Sequence, residues 1–153
     1  MTNLELKEEI AIELEAMNTI VDEAVALFHD ISGRDATIRE KTAAAAFMAQ
    51  FYGGIENILK RIHRCNGITT PSGDSWHIEI FKRFCNSPYP GLPLLFDEKL
   101  AHQLAPFRKF RHIVYHGYGF QLEWERMIDG LEAIKGVHMS FTVAVSAYLD
   151  TLS

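Results

Sequence analysis

The sequence predicts an all-α fold, a four-helix bundle with one additional short helix, on three observations. Apolar residues recur at three- and four-residue spacing over four long stretches, and glycine, proline and small polar residues punctuate the chain between them. No segment shows the sustained alternation or the hairpin dipeptides of a sheet. At 153 residues the chain is expected to form one domain, residues 1–153, with no internal repeat or low-complexity tract.

The first helix is predicted from Leu4 to about Asp30, where Ile10, Leu14, Met17, Val21, Ala24 and Phe28 make an apolar stripe and acids fill the other face. Ser32-Gly33-Arg34 breaks it. Asp35 is the expected cap of a second helix reaching about Arg64, with a stripe of Phe47, Phe51, Ile55, Ile58 and Ile62. Ala43 to Ala46 offer small residues where another helix can come close. The segment Cys65 to Gly73 reads as a loop, and Asp74 or Ser75 caps a short helix through Phe84. Pro88, Pro90 and Pro93 then forbid a helix before Asp97, the start of a fourth helix that runs toward Tyr115 with Pro106 as an internal kink. The last helix is predicted from about Gln121 to Leu149, its stripe including Trp124, Met127, Leu131, Ile134, Val145 and Tyr148, with Gly130 and Gly136 as local weak points.

Hydrophobic residues at 48% supply a core, so disorder is excluded. The acid-rich N-terminus is unlike a secretory signal, and no apolar run reaches the roughly 18 residues of a membrane span, so a cytoplasmic location without membrane contact is expected. Cys65 and Cys85 lack CxxC spacing and are read as ordinary thiols. A net charge of −5 argues against a protein that coats nucleic acid by charge alone. The sign is nevertheless uneven: residues 1 to 30 hold eight acids and one base, and basic clusters at Lys60-Arg61-His63-Arg64 and Arg108-Lys109-Arg111-His112 each make a patch suited to phosphate.

The densest group of chemically capable side chains is Phe107 to Gly119, which ends a helix in a glycine-flanked turn. Phosphoryl transfer from an RNA 2′-hydroxyl needs a proton carrier titrating near neutrality and a fixed cation for charge growing on the phosphate, and His116 and Arg111 supply those two functions. Five positions along an unbroken helix turn the two side chains about 140° apart and separate them by about 7.5 Å, so they do not converge there. Gly117 and Gly119 would allow the helix to end near His116, and a two-fold pairing of chains could bring both Arg-His sets into one groove, which is the favoured solution.

Arg111-x4-His116-x-Tyr118 resembles the RX4HXY signature of HepT-type HEPN ribonuclease toxins. The resemblance extends to FYGGIENILKRI (Phe51 to Ile62), to Trp76-His77 and to FRKFRHIVYHGYGFQLEWERM (Phe107 to Met127). It implies a HEPN-type bundle that dimerises about the motif, RNA cleavage with no metal and no cofactor, and the toxin role in a HEPN/MNT (HepT/MntA) toxin-antitoxin pair. The implied partners are an RNA substrate, a second copy of the chain and an MNT-type nucleotidyltransferase antitoxin. Arg111 would hold the scissile phosphate, His116 would act as general base or acid, and Tyr118 would be modified with AMP, whose charge and bulk shut the groove. Where the family often carries a basic residue just before the motif histidine, this chain has Tyr115.

Arg108, Lys109 and His112 are candidate RNA contacts, though solvated charges on a helix explain them almost as well. His112 and His116 lie four apart and would need a third ligand from elsewhere to bind zinc; no HExxH pattern accompanies them. Glu56 lies beside the second helix's stripe, where a carboxylate could orient Arg111 by a bidentate pair, but an ordinary surface glutamate is the favoured reading. His77 is expected to be structural, and Phe110, Phe120 and Trp124 to pack the core rather than stack on bases. Two alternatives stay open: a non-catalytic HEPN dimer that serves as binding module or scaffold for a nucleotidyltransferase, and a regulatory bundle whose acidic first helix contacts other proteins.

Overall fold

The computed structural model describes residues 1–153, residue 119 only by its place in a helical turn. Its α-helices are α1 (Asn3–Asp30), α2 (Ile38–Cys65), α3 (Trp76–Lys82), α4 (Glu98–His116) and α5 (Trp124–Asp150), with a 3₁₀ turn at Gly119–Gln121 before the last. No strand occurs among the described residues, so the fold is all-α as the periodicity predicts, four long helices and one short.

Local chemistry sets the boundaries. Both α1 and α2 open with a capping box, Thr2 with Glu5 and Thr37 with Glu40. The cap of α2 is therefore Thr37 and not Asp35. Thr37 Oγ1 accepts from the Glu40 amide at 3.2 Å, while Glu40 Oε1 accepts from the Thr37 amide at 2.9 Å, so two otherwise orphaned donors are satisfied together. Arg34 grips the same carboxylate and, with the Thr37 amide, holds the Glu40 pKa down at about 2. Asp97, the expected start of α4, caps it, its Oδ1 accepting from the Leu100 amide at 2.7 Å. α3 stops at Lys82 rather than Phe84, because the Phe84 carbonyl accepts from the amides of Leu95 and Phe96 and so draws the proline-rich segment back onto the core. Within that segment Tyr89-Pro90-Gly91-Leu92 closes a tight turn that needs the positive φ of Gly91, +92°. α5 begins at Trp124 and not Gln121, whose amide instead closes the 3₁₀ turn on Tyr118.

α2 is the central helix and packs against every other helix. α1 and α4 each pack on α2 and α5 but share no extensive contact, so they lie across the bundle from one another. The predicted stripes supply the core: Ile10, Met17, Val21, Phe51, Ile55, Ile58, Ile62, Met127, Leu131, Ile134 and Val145 are all buried. Two glycines set close approaches. A Cβ on Gly54 would fall 2.5 Å from Met17 Cγ, and one on Gly130 would fall 2.7 Å from Met48 Sδ and 3.1 Å from Phe110. Gly130 thus marks a helix crossing, and α5 is continuous through it. α4 likewise runs on through Pro106, although proline lacks the amide that would bond one turn back.

The basic cluster at residues 60–64 does not form one phosphate patch. Arg61 is held by Glu9 and Glu13 of α1 at 2.5 and 3.1 Å, and His63 is fully buried, its Nδ1 bonded to the Leu59 carbonyl. Burial pushes the His63 pKa down.

Candidate functional site

Leu100, Leu104, Phe107 and Phe110 bury one face of α4. Arg111 sits at the edge of that face and reaches α2, where Gly53 and Glu56 lie one turn apart on the same side. Its Nε donates to Glu56 Oε1 at 2.5 Å. A Cβ on residue 53 would stand 3.0 Å from Arg111 Nη1, so the absent side chain of Gly53 makes the space in which the guanidinium lies. Tyr115, one turn along α4, places its ring 4.3 Å from the guanidinium carbon. Among the described residues no acceptor bonds Arg111 Nη1 or Nη2, which leaves the forked end of the cation open.

Glu56 is the buried centre of this arrangement. Its side chain is 1% exposed, which overturns the surface-glutamate reading, and it does not pair bidentately with Arg111. The second oxygen, Oε2, accepts instead from Nδ1 of His77 at 2.7 Å. His77 stands in the first turn of α3, and the Trp76 ring lies against it with centroids 3.7 Å apart; Lys60 Nζ stands 4.4 Å from the Trp76 ring centre. Sequence reasoning left His77 out of the site. Glu56 carried a usable signal, since it is four residues from Tyr52 and three from Leu59, both fully buried, so the stripe runs through it. Tyr52 lies one turn before Glu56 with its hydroxyl buried and unpartnered, and burial first, then the Glu56 charge, pushes its pKa up.

His116 ends α4 and is exposed, its ring 4.5 Å from that of His112. α4 is unbroken from Arg111 to His116, so the two side chains leave the helix in different directions and do not meet within one chain. Gly117 follows in an extended conformation, φ −163°, and its lack of a side chain is not what ends the helix. Tyr118 is 68% exposed. Phe120 is stacked beside it with centroids 5.9 Å apart and is itself 42% exposed, contrary to its expected place in the core; Phe110 is buried and Trp124 half-buried.

A groove of about 1170 Å³ runs between α4 and α5. Arg108, Lys109, Arg111 and His112 line it from α4, Glu56 and His77 from α2 and α3, and Arg126, Asp129 and Glu132 from α5. Arg108 is half-buried, its guanidinium 5.0 Å from the Phe81 ring centre, whereas Lys109 and His112 are exposed. Among the described residues no three of His, Cys, Asp and Glu come together as a metal-holding group, and no helix is long and apolar enough to cross a membrane.

No curated protein and no solved structure matches the chain. A sequence model of the family described as HepT-like protein matches residues 43–152. The match takes in α2 from its second turn, every later helix, the seat of Arg111 and the whole Arg111-x4-His116-x-Tyr118 motif. Covering well over half of the 153 residues, it shows that the chain belongs to the HepT-like family.

Proposed function

We propose that the protein is the toxin of a HEPN/MNT pair, a homodimeric, metal-independent endoribonuclease in which Arg111 holds the scissile phosphate and His116 moves the proton. The observation that carries this reading is the seat of Arg111: a guanidinium anchored through Nε on a buried carboxylate, with neither Nη bonded among the described residues, in a side chain that lines a groove. A fork so held matches two phosphate oxygens, and its charge is fixed before the substrate arrives. His116 stands exposed five positions on and diverges from Arg111, so one chain brings together only half of the chemistry; a second copy across the motif supplies the rest.

In this mechanism the 2′-oxygen attacks phosphorus as one imidazole takes its proton, and the 5′-oxygen leaves as a second imidazole, from the other copy, protonates it. The products are a 2′,3′-cyclic phosphate and a 5′-hydroxyl. Lys109 and His112, exposed on the groove wall, are the proposed contacts that steer the strand by its phosphates. Tyr118, exposed two residues from His116, is the proposed site at which an MNT-type nucleotidyltransferase attaches AMP and closes the groove by charge and bulk.

The test is cleavage of RNA in EDTA by the purified protein and by His116→Ala and Arg111→Lys. Lysine keeps a charge beside Glu56 but not the fork. Each substitution is expected to cost on the order of a hundredfold or more, with the melting temperature of His116→Ala unchanged. Undiminished cleavage by both variants would overturn the assignment. An inert wild-type protein that binds the nucleotidyltransferase tightly would establish the scaffold reading instead.

A further inference from the structure

We infer that His77 is a positioning residue for Arg111: by holding one oxygen of Glu56, it confines the carboxylate to Arg111 Nε and keeps both Nη nitrogens open to a phosphate. The inference rests on the reading of Arg111 as the phosphate grip.

A carboxylate beside a guanidinium ordinarily engages it with both oxygens, through two parallel N–H···O bonds. That arrangement would occupy one Nη of Arg111 and spoil the fork. Here it does not form, because Oε2 of Glu56 is bonded to His77 Nδ1 at 2.7 Å while Oε1 takes Arg111 Nε at 2.5 Å. The Glu56 side chain is 1% exposed, so water is a poor substitute for a lost partner. Deprived of His77, the carboxylate regains a second bond most directly by turning onto an Nη of the adjacent guanidinium.

The surroundings of His77 hold it to this task. It stands in the first turn of α3, whose Ile80 and Phe81 are anchored in the core, and the Trp76 ring lies against the imidazole at 3.7 Å. Nδ1 is thereby aimed at α2. Three segments far apart in sequence, at residues 56, 77 and 111, are joined through one carboxylate.

Two substitutions separate this role from simple packing. His77→Phe retains a flat ring against Trp76 and loses the donor to Glu56. His77→Asn loses the ring and offers an amide N–H at the position of Nδ1. Binding of a 2′-O-methyl RNA oligonucleotide, which lacks the nucleophilic hydroxyl, is measured against salt concentration for wild type and both variants. The phenylalanine variant is expected to bind about tenfold more weakly, with a salt slope lower by about one, as for loss of one phosphate contact. The asparagine variant is expected within about threefold of wild type, and His77→Phe should add nothing in an Arg111→Lys background. Weak binding by the asparagine variant with normal binding by the phenylalanine variant would overturn the inference.

The ¹⁵N–¹H signals of Arg111 give a readout independent of RNA. In wild type the Nε–H is bonded and both Nη groups should rotate fast; in His77→Phe one Nη group should become slowed. If that change occurs in a protein that neither binds nor cuts RNA, the ribonuclease reading fails and the role of His77 stands. If the Nη signals do not change, the role of His77 fails whatever the protein does to RNA.

Discussion

Replacing Glu56 with glutamine keeps the side chain's volume but removes its charge at a position 1% exposed. The perturbation falls on two bonds, from Arg111 Nε at 2.5 Å and from His77 Nδ1 at 2.7 Å. A hydrogen bond to a charged group contributes about 1.5–3 kcal/mol, and breaking a fully enclosed ion pair costs about 3–5 kcal/mol. Arg111 retains 18% exposure of its side chain and can recover some hydration, so the loss falls in the upper part of the hydrogen-bond range and not in the ion-pair range. We expect Glu56→Gln to lose about 2–3 kcal/mol. Arg111→Met leaves Glu56 its bond to His77 and should cost about 2 kcal/mol. The assay is urea unfolding at pH 7 of wild type, both single variants and the double variant, with the slope m checked for constancy. The double variant should lose less than the sum of the singles by about 2 kcal/mol. A coupling below about 0.5 kcal/mol would refute the reasoning, because it is the value of a solvated surface contact and would mean that the seat of Arg111 is not electrostatically built.

Gly53→Ala places a methyl group 3.0 Å from Arg111 Nη1 while relieving the helix of a glycine worth about 0.8–1.0 kcal/mol against alanine. Thermal melting should show equal or greater stability, and RNA cleavage should fall on the order of tenfold as the guanidinium is displaced; a lower melting temperature with full cleavage would contradict the geometry. Acid should destabilise the fold in two stages. His63 and His138 are both held below the ordinary imidazole value by burial, so the unfolded chain binds their protons more readily. The stability they contribute is complete above the ordinary value of 6.5 and is lost as pH falls toward their folded values. Glu40 adds a second loss as pH falls from 4.5 through about 2. The urea midpoint should therefore drop between pH 7 and pH 5, and His138→Gln, which keeps a partner for Asn18, should flatten part of that drop; a midpoint constant over this range would refute the assignment.

The helices were legible because burial imposes a local rule, a 3.6-residue period, that any window of the chain displays. Asp97 was readable for the same reason, since a cap acts within three residues. Thr37 was equally local: Glu40 three residues later completes its capping box, and Asp35 drew attention only by its residue type. Arg111 and His116 could be named from their chemistry and Tyr118 from the resemblance of the motif, but not the way Arg111 is held. Glu56 and His77 lie 55 and 21 residues from their partners along the chain, and no periodicity carries information across loops of that length. From the sequence alone the carboxylate is therefore expected at the surface, where most glutamates lie. Phe120 misled in the opposite direction, because it belongs to a 3₁₀ turn whose side chains follow neither helix stripe.

The diagonal placement of α1 and α4 gives the molecule an electrical front and back. α1 contributes eight acids against one base, two of them, Glu9 and Glu13, shared with Arg61, whereas α4 carries Lys99, Arg108 and Lys109 against the single acid Glu98, the charge of Arg111 being met by Glu56. A polyanion within a Debye length is repelled by the α1 flank and, on the other, meets bases on the α4 wall of the groove and the acids Glu123, Asp129 and Glu132 on its α5 wall, so it is turned toward the α4 wall. Encounter rates should accordingly decline with added salt even though the protein as a whole is negative.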